Sequence, residues 1–201
     1  MKENAISLAI TGASGACYGI RLLECLLKAN KKVYLMVSSP AKVVIKTETD
    51  LPMPGRTDEI RDFFVDKFSV APELLEVFGK EQWMAPVASG SNAPSAMVVC
   101  PCSTGTLSAI SCGNSRSLIE RAADVMLKEH RKLILVTRES PLSAIHLENM
   151  LKLARLGVTI MPASPAFYNK PQSISELVDF VVARILDHLA IEQHLAPRWG
   201  E

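Results

Sequence analysis

The chain has 201 residues, 48% of them hydrophobic, with 22 basic and 21 acidic side chains and a formal net charge of +1. That length buries one proper core and fits a single domain over residues 1–201. The mixed charge excludes a basic stripe for a nucleic-acid backbone, and no apolar run or leader-like start calls for a membrane or for export. Five cysteines without a C-x-x-C pair and four histidines without ligand spacing predict reduced thiols, no metal and a cytoplasmic protein.

Ile6–Ile10 has the length and composition of a buried strand, and Ala16–Ala29 continues at helical spacing through Ile20, Leu23, Leu26 and Leu27. Between them Thr11-Gly12-Ala13-Ser14-Gly15 forms a small-residue turn. Backbone N–H groups at such a helix start offer a site for a phosphate or another anion, although the same turn serves equally as a plain strand-to-helix connection. Lys32–Val37 predicts a second strand ending at Ser38, followed by a helix from Ala41 to about Glu48–Asp50 and another over Asp58–Lys67. Pro72–Phe78 reads as either helix or strand. Lys80–Asn92 is a connection long enough to carry function, with Trp83 read as packing.

Ser95–Cys100 predicts a third strand, and Pro101-Cys102-Ser103-Thr104-Gly105-Thr106 repeats the passage from strand through small residues to a helix. Ser117 and Glu120 form a capping box for a helix through Lys128. Leu133–Thr137 is the next strand, and Pro141 opens a helix that Gly157 stops. Val158–Met161 is the last strand. Ser173 and Glu176 cap a final helix with Ile174, Leu177, Val178, Val181, Val182, Ile185 and Leu189 as its apolar stripe.

Short apolar strands alternating with helices define an α/β, Rossmann-like (flavodoxin-like) three-layer fold with a mostly parallel sheet. Ligands bind such sheets beyond the carboxyl ends of the strands, here at Ser14, Ser38, Cys102-Ser103-Thr104 and Arg138-Glu139. A nicotinamide dinucleotide is disfavoured, because Ser38 stands where an acidic residue would take the ribose hydroxyls. The Tyr-x-x-x-Lys pair of short-chain dehydrogenases is also missing: Tyr18, Tyr34 and Tyr168 are followed four residues on by Leu22, Ser38 and Gln172. A mononucleotide with one phosphate fits better.

With TGASGACYG (11–19), ETD (48–50), the run from Pro86 to Ile110, LIERAADVMLKEHRKLILVTRESPLSAIHLENM (118–150), the run from Met161 to Asp187 and PRWG (197–200), the chain resembles the UbiX-type flavin prenyltransferases over nearly its whole length. They belong to a flavoprotein superfamily related to cysteine decarboxylases. The resemblance implies a homododecamer that binds reduced FMN as both cofactor and prenyl acceptor. It joins a dimethylallyl group from dimethylallyl phosphate to flavin N5 and C6, making prenylated FMN for a UbiD-type decarboxylase, without a metal. It also implies FMN contacts from Gly12, Ala13, Ser14, Ser38, Cys102, Ser103, Thr104, Gly105 and Arg138. Substrate contacts would come from Lys128, Tyr168, Arg184 and Trp199, and Ser14, Glu48, Arg121, Lys128 and Glu139 would be catalytic. Ser39-Pro40 departs from a commoner Lys-Ala pair.

Each residue also has a plainer reading. Ser14 suits a helix N-cap, Cys102 a buried small hydrophobe, Lys128 a solvated cation near a helix end, and Arg138 with Glu139 a surface ion pair. Two other functions stay open on the residues alone. One is an FMN-dependent cysteine-type decarboxylase, although no histidine precedes His130 and Met161-Pro162-Ala163-Ser164-Pro165 replaces its substrate motif. The other is a flavin-binding module without chemistry of its own.

Overall fold

The computed structural model describes residues 5–197. Six strands, β1 (Ala5–Ile10), β2 (Lys32–Val37), β3 (Leu75–Phe78), β4 (Ala96–Cys102), β5 (Lys132–Thr137) and β6 (Thr159–Pro162), form one sheet in the order β3-β2-β1-β4-β5-β6. Every pairing is parallel. Parallel strands need crossovers and cover on both faces, which is why β1, β4 and β5 read as unbroken apolar runs. The ambiguous stretch before Phe78 divides: Pro72–Leu74 is a 3-10 turn and only Leu75–Phe78 joins the sheet, as its edge.

Helices α1 (Ala16–Lys28), α2 (Ser39–Glu48), α3 (Thr57–Phe68) and α7 (Ile174–His188) pack on one face against Ile6, Leu8, Ile10, Val98 and Ile134. The other face, lined by Ala9, Tyr34, Met36, Met97, Val99 and Leu135, is covered by α4 (Thr104–Ser111), α5 (Leu118–Lys128) and α6 (Ala144–Arg155). Over β2 the cover there is no helix but the connection from β3 to β4, which crosses in two 3-10 turns and buries Ala85 and Val87. The length of that segment therefore serves coverage as well as the cleft described below. Trp83 and Met84, on its outer side, are 45% and 99% exposed, so Trp83 is not core packing.

Pairing between β4 and β5 is irregular between Val99 and Cys102. Side chains alternate along a strand, so a one-residue slip moves Cys102 to the face opposite Cys100. Helix α6 begins three residues after Pro141, because Ser143 caps it through the His146 N–H while His146 Nδ1 accepts the Ser143 N–H. Only Leu153 of α6 is buried; Ile145, Leu147 and Leu151 are more than half exposed. Ile174, expected in the buried stripe of α7, is 79% exposed, because that helix turns its first residue outward. No helix of the described residues is long and apolar enough to cross a membrane.

Candidate active site

Strand order reverses between β1 and β4, so the loops leaving their carboxyl ends diverge to opposite faces and leave a crevice. A cavity of about 440 Å³ opens there, within the roughly 300–1,000 Å³ of small-molecule sites. Its apolar wall is Met36, Val37, Phe78, Leu118 and Ile119, and Gly12 lies at its β1 side. Three helix starts also meet in it: Ser38-Ser39-Pro40 of α2, Ser103 and Thr106 of α4, and Ser117 with Glu120 of α5. Each is capped by a serine, whose Oγ accepts the N–H of Ala41, Thr106 or Glu120. A helix N-terminus carries about half a positive charge, so three of them, with Lys80 at the wall, make an anion-attracting cleft.

The glycine-rich turn after β1 is built differently. The N–H groups of Gly15 and Ala16, at the start of α1, both donate to Glu48 Oε2, at 2.9 and 3.0 Å. The anion at this helix start is thus supplied by the chain itself, which corrects the expectation of a phosphate there. Burial raises the Glu48 carboxyl pKa, but hydrogen bonds from Ser14, Ala16 and Gly15 and the charge of Arg138 outweigh it and leave it lowered. Ser14 does not cap α1, whose N-cap is Gly15; its hydroxyl is spent on Glu48. The two glycines of the turn, and Gly19 in the first turn of α1, also have internal reasons. A Cβ on Gly12 would stand 2.5 Å from Pro40 Cβ, one on Gly19 2.3 Å from the Cys100 carbonyl oxygen, and Gly15 has φ +102°. At Gly105 a Cβ would meet nothing within 4 Å.

Gly12, Ser38 and Ser103 line the cavity, and Ala13, Ser14, Thr104 and Gly105 follow them in the chain. Cys102 is fully buried, with its thiol pushed up to about 12 by desolvation, so only its backbone can face a ligand and the small-hydrophobe reading holds. Arg138 and Glu139 do not form the surface ion pair of their plainer reading. Arg138 Nε donates to the Ser14 carbonyl at 3.3 Å, and Glu139 Oε1 accepts the Ser140 N–H.

The remaining predicted residues lie elsewhere on this chain. Tyr168 and Arg184 share a separate recess of about 870 Å³, where Tyr168 meets Phe180 edge to face and Arg184 pairs with Asp187. Arg184 is one turn from His188, whose carbonyl accepts Lys132 Nζ at the start of β5, so it sits towards the opposite edge of the sheet from the cleft. Lys128 pairs with Glu129 at the C-terminal end of α5, also on that edge, and Arg121 turns from the cleft to the Ala88 carbonyl and Asp124. Trp199 lies outside the described residues. No group of metal-ligating side chains occurs among the described residues.

The sequence alone assigns no site role to Thr106, Lys80, Ser117 or Thr11, all of which belong to the cleft or its frame. Ser117 was visible as a cap; the others depend on contacts between distant segments.

A family model described as Flavoprotein matches residues 1–186. The chain is 57% identical to the flavin prenyltransferase UbiX of Pseudomonas aeruginosa over 196 residues, covering 98% of this chain and 94% of that one. Its fold is similar to AnUbiX (PadA1), solved in complex with FMN and dimethylallyl pyrophosphate. There the TM-score is 0.87, with 41% identity and coverage of 99% and 98% of the two chains. It is also similar to a dodecameric FMN-dependent UbiX-like decarboxylase from Escherichia coli O157:H7, with TM-score 0.85, 40% identity and coverage of 98% and 100%.

Proposed function

Because this chain belongs to the Flavoprotein family, and within it to the UbiX-type flavin prenyltransferases, we propose that it binds reduced FMN in the β1/β4 cleft and joins to it the dimethylallyl group of dimethylallyl phosphate. The carrying observation is the convergence of three capped helix starts on one cavity with an apolar wall. The residues present fit FMN: the helix starts and Lys80 suit its phosphate, and the apolar wall suits its ring.

When bound, FMN supplies the ring positions N5 and C6 that take up the prenyl unit. The chain's own groups do the rest. Ser14, whose hydroxyl is held by Glu48 and whose carbonyl accepts Arg138 Nε, would offer that fixed hydroxyl oxygen to the flavin ring. Glu48, with its lowered pKa, stays an acceptor at neutral pH and orients that hydroxyl. Glu139, exposed at the end of β5, is the group for proton transfer between ring carbon and departing phosphate. Arg121, Lys128 and Arg184 would neutralise the phosphate as it leaves, and Tyr168 would donate a hydrogen bond to it.

Those four residues lie away from the cleft of their own chain, so the reading includes an assembly in which neighbouring copies bring them to one another's clefts. Two observations support it: the exposed apolar face of α6, and the dodecameric state of the Escherichia coli relative. The reading extends to a cytoplasmic enzyme whose prenylated FMN serves a UbiD-type decarboxylase.

Anaerobic incubation with reduced FMN and dimethylallyl phosphate, followed by mass spectrometry of the released flavin, tests the activity. A gain of one five-carbon unit is expected; unmodified FMN, with both ligands shown to bind, overturns it. In the Glu139→Gln variant FMN should bind as in the wild type while prenylation slows by about 10²-fold or more. Wild-type turnover there removes Glu139 from proton transfer.

A further inference from the structure

The cleft is framed by two serines, Ser38 and Ser103, that cap α2 and α4 from opposite sides of β1. Both main-chain N–H groups are held by the last two residues of that strand's path. Ser38 donates to the Ile10 carbonyl at 3.1 Å, a backbone bond that does not depend on either side chain. Ser103 donates instead to a side chain, the Thr11 hydroxyl, at 2.8 Å. The same hydroxyl donates to the Pro101 carbonyl at 2.7 Å, and the Thr11 N–H reaches that carbonyl at 3.2 Å. Thr11 is 2% exposed, and these bonds join segments some ninety residues apart in sequence.

Resting on the reading that FMN occupies this cleft, we infer that Thr11 is a positioning residue, whose hydroxyl fixes the start of α4 against the Gly12-Ala13-Ser14 turn. The hydroxyl gives its one hydrogen to the Pro101 carbonyl and accepts the Ser103 N–H. Without it the Pro101 carbonyl keeps the Thr11 N–H, but the part-buried Ser103 N–H loses its partner, which favours moving Ser103 out of place. Ser103 shares its hydroxyl with Thr106, so the displacement passes to the Ser103-Thr104-Gly105-Thr106 wall as a unit. The residue does not itself touch the ligand; it acts through the main chain of one that does.

The chemistry of the side chain separates positioning from packing. Thr11→Val keeps the buried volume and removes both hydrogen bonds. Thr11→Ser keeps both hydrogen bonds and removes a buried methyl. FMN affinity, followed by quenching of flavin fluorescence well below the melting temperature, should weaken about tenfold in the valine variant, equivalent to about 1.4 kcal/mol. In the serine variant it should stay at the wild-type value even though the apoprotein melts lower. The proposal is overturned if valine binds FMN as the wild type does, or if serine binds as poorly as valine. Should valine not yield folded protein, Thr11→Cys takes its place, since a thiol is a weak partner of similar size. FMN must then bind more weakly to cysteine than to serine, and equal affinities overturn the proposal.

Ser39→Trp, a bulky substitution at an exposed residue of the cleft lining, separates this failure from failure of the underlying reading. If it leaves FMN binding intact, FMN is not in this cleft and both readings fall. If it abolishes binding while Thr11→Val has no effect, only the role of Thr11 falls.

Discussion

The start of α1 and the starts of α2, α4 and α5 are the same physical object, a helix N-terminus with unpaired donors, put to opposite uses. At α1 the donors are closed from within by Glu48; at the other three, capping serines satisfy part of the set and a cavity is left between them. The glycine-rich turn, the most conspicuous motif in the sequence, therefore belongs to the closed end. Its glycines serve close packing and a positive φ, whereas a Cβ on Gly105, in a far plainer stretch, would meet nothing within 4 Å.

Substitutions at the two ends sharpen the contrast. Gly19→Ala places a Cβ against the Cys100 carbonyl and Ile10, so α1 must lift from β4, and apoprotein stability should drop by about 3 kcal/mol. Thermal unfolding checks this, and an unshifted melting temperature would mean that α1 is less closely seated than its contacts indicate. Glu48→Ala, which reopens the α1 start, should cost about 1 kcal/mol at neutral pH. Because the folded carboxyl pKa is lowered, this contribution is full above the ordinary value of 4.5 and vanishes as pH falls through the folded value. Wild type and variant should therefore converge in acid, and a gap that persists there excludes the ionised carboxylate as its source.

Gly105→Ala inverts the pattern. Alanine is the better helix former and meets no neighbour, so the apoprotein should gain about 0.5 kcal/mol while FMN binds less tightly. Calorimetry of the free and loaded protein gives both numbers. A gain in both would place the ligand away from Gly105.

What the sequence made legible was local. The capping serines at 117 and 173 sit where their spacing put them, and the strands from Lys32 and Leu133 end where polarity returns. The small-residue turns after β1 and β4 marked the right edge of the sheet. What was not legible depends on chain segments meeting from afar. Nothing around Glu48 announces that it will cap a helix more than thirty residues earlier, and Thr11 looks like the tail of a strand. The distance of Lys128 and Arg184 from the cleft is likewise a product of helix direction, which carries both to the amino-terminal end of the strands. Arg121, next to the cleft residue Glu120, is instead turned away by the Ala88 carbonyl and Asp124.

The crossover from β3 to β4 has a thermodynamic consequence. It carries Gly79 and Lys80 of the cleft wall at one end and Ala85 and Val87 of the core in its middle, yet has only two short 3-10 turns of its own. Such a segment is where local unfolding costs least. Its opening would uncover the Met36 side of the sheet and dissolve part of the cleft in the same event. Amides of residues 79–95 should therefore exchange with solvent well before those of β1 and β4, and FMN should slow that exchange in proportion to its saturation of the cleft. Cofactor occupancy and the integrity of this face of the core then become one equilibrium, read by the same deuterons.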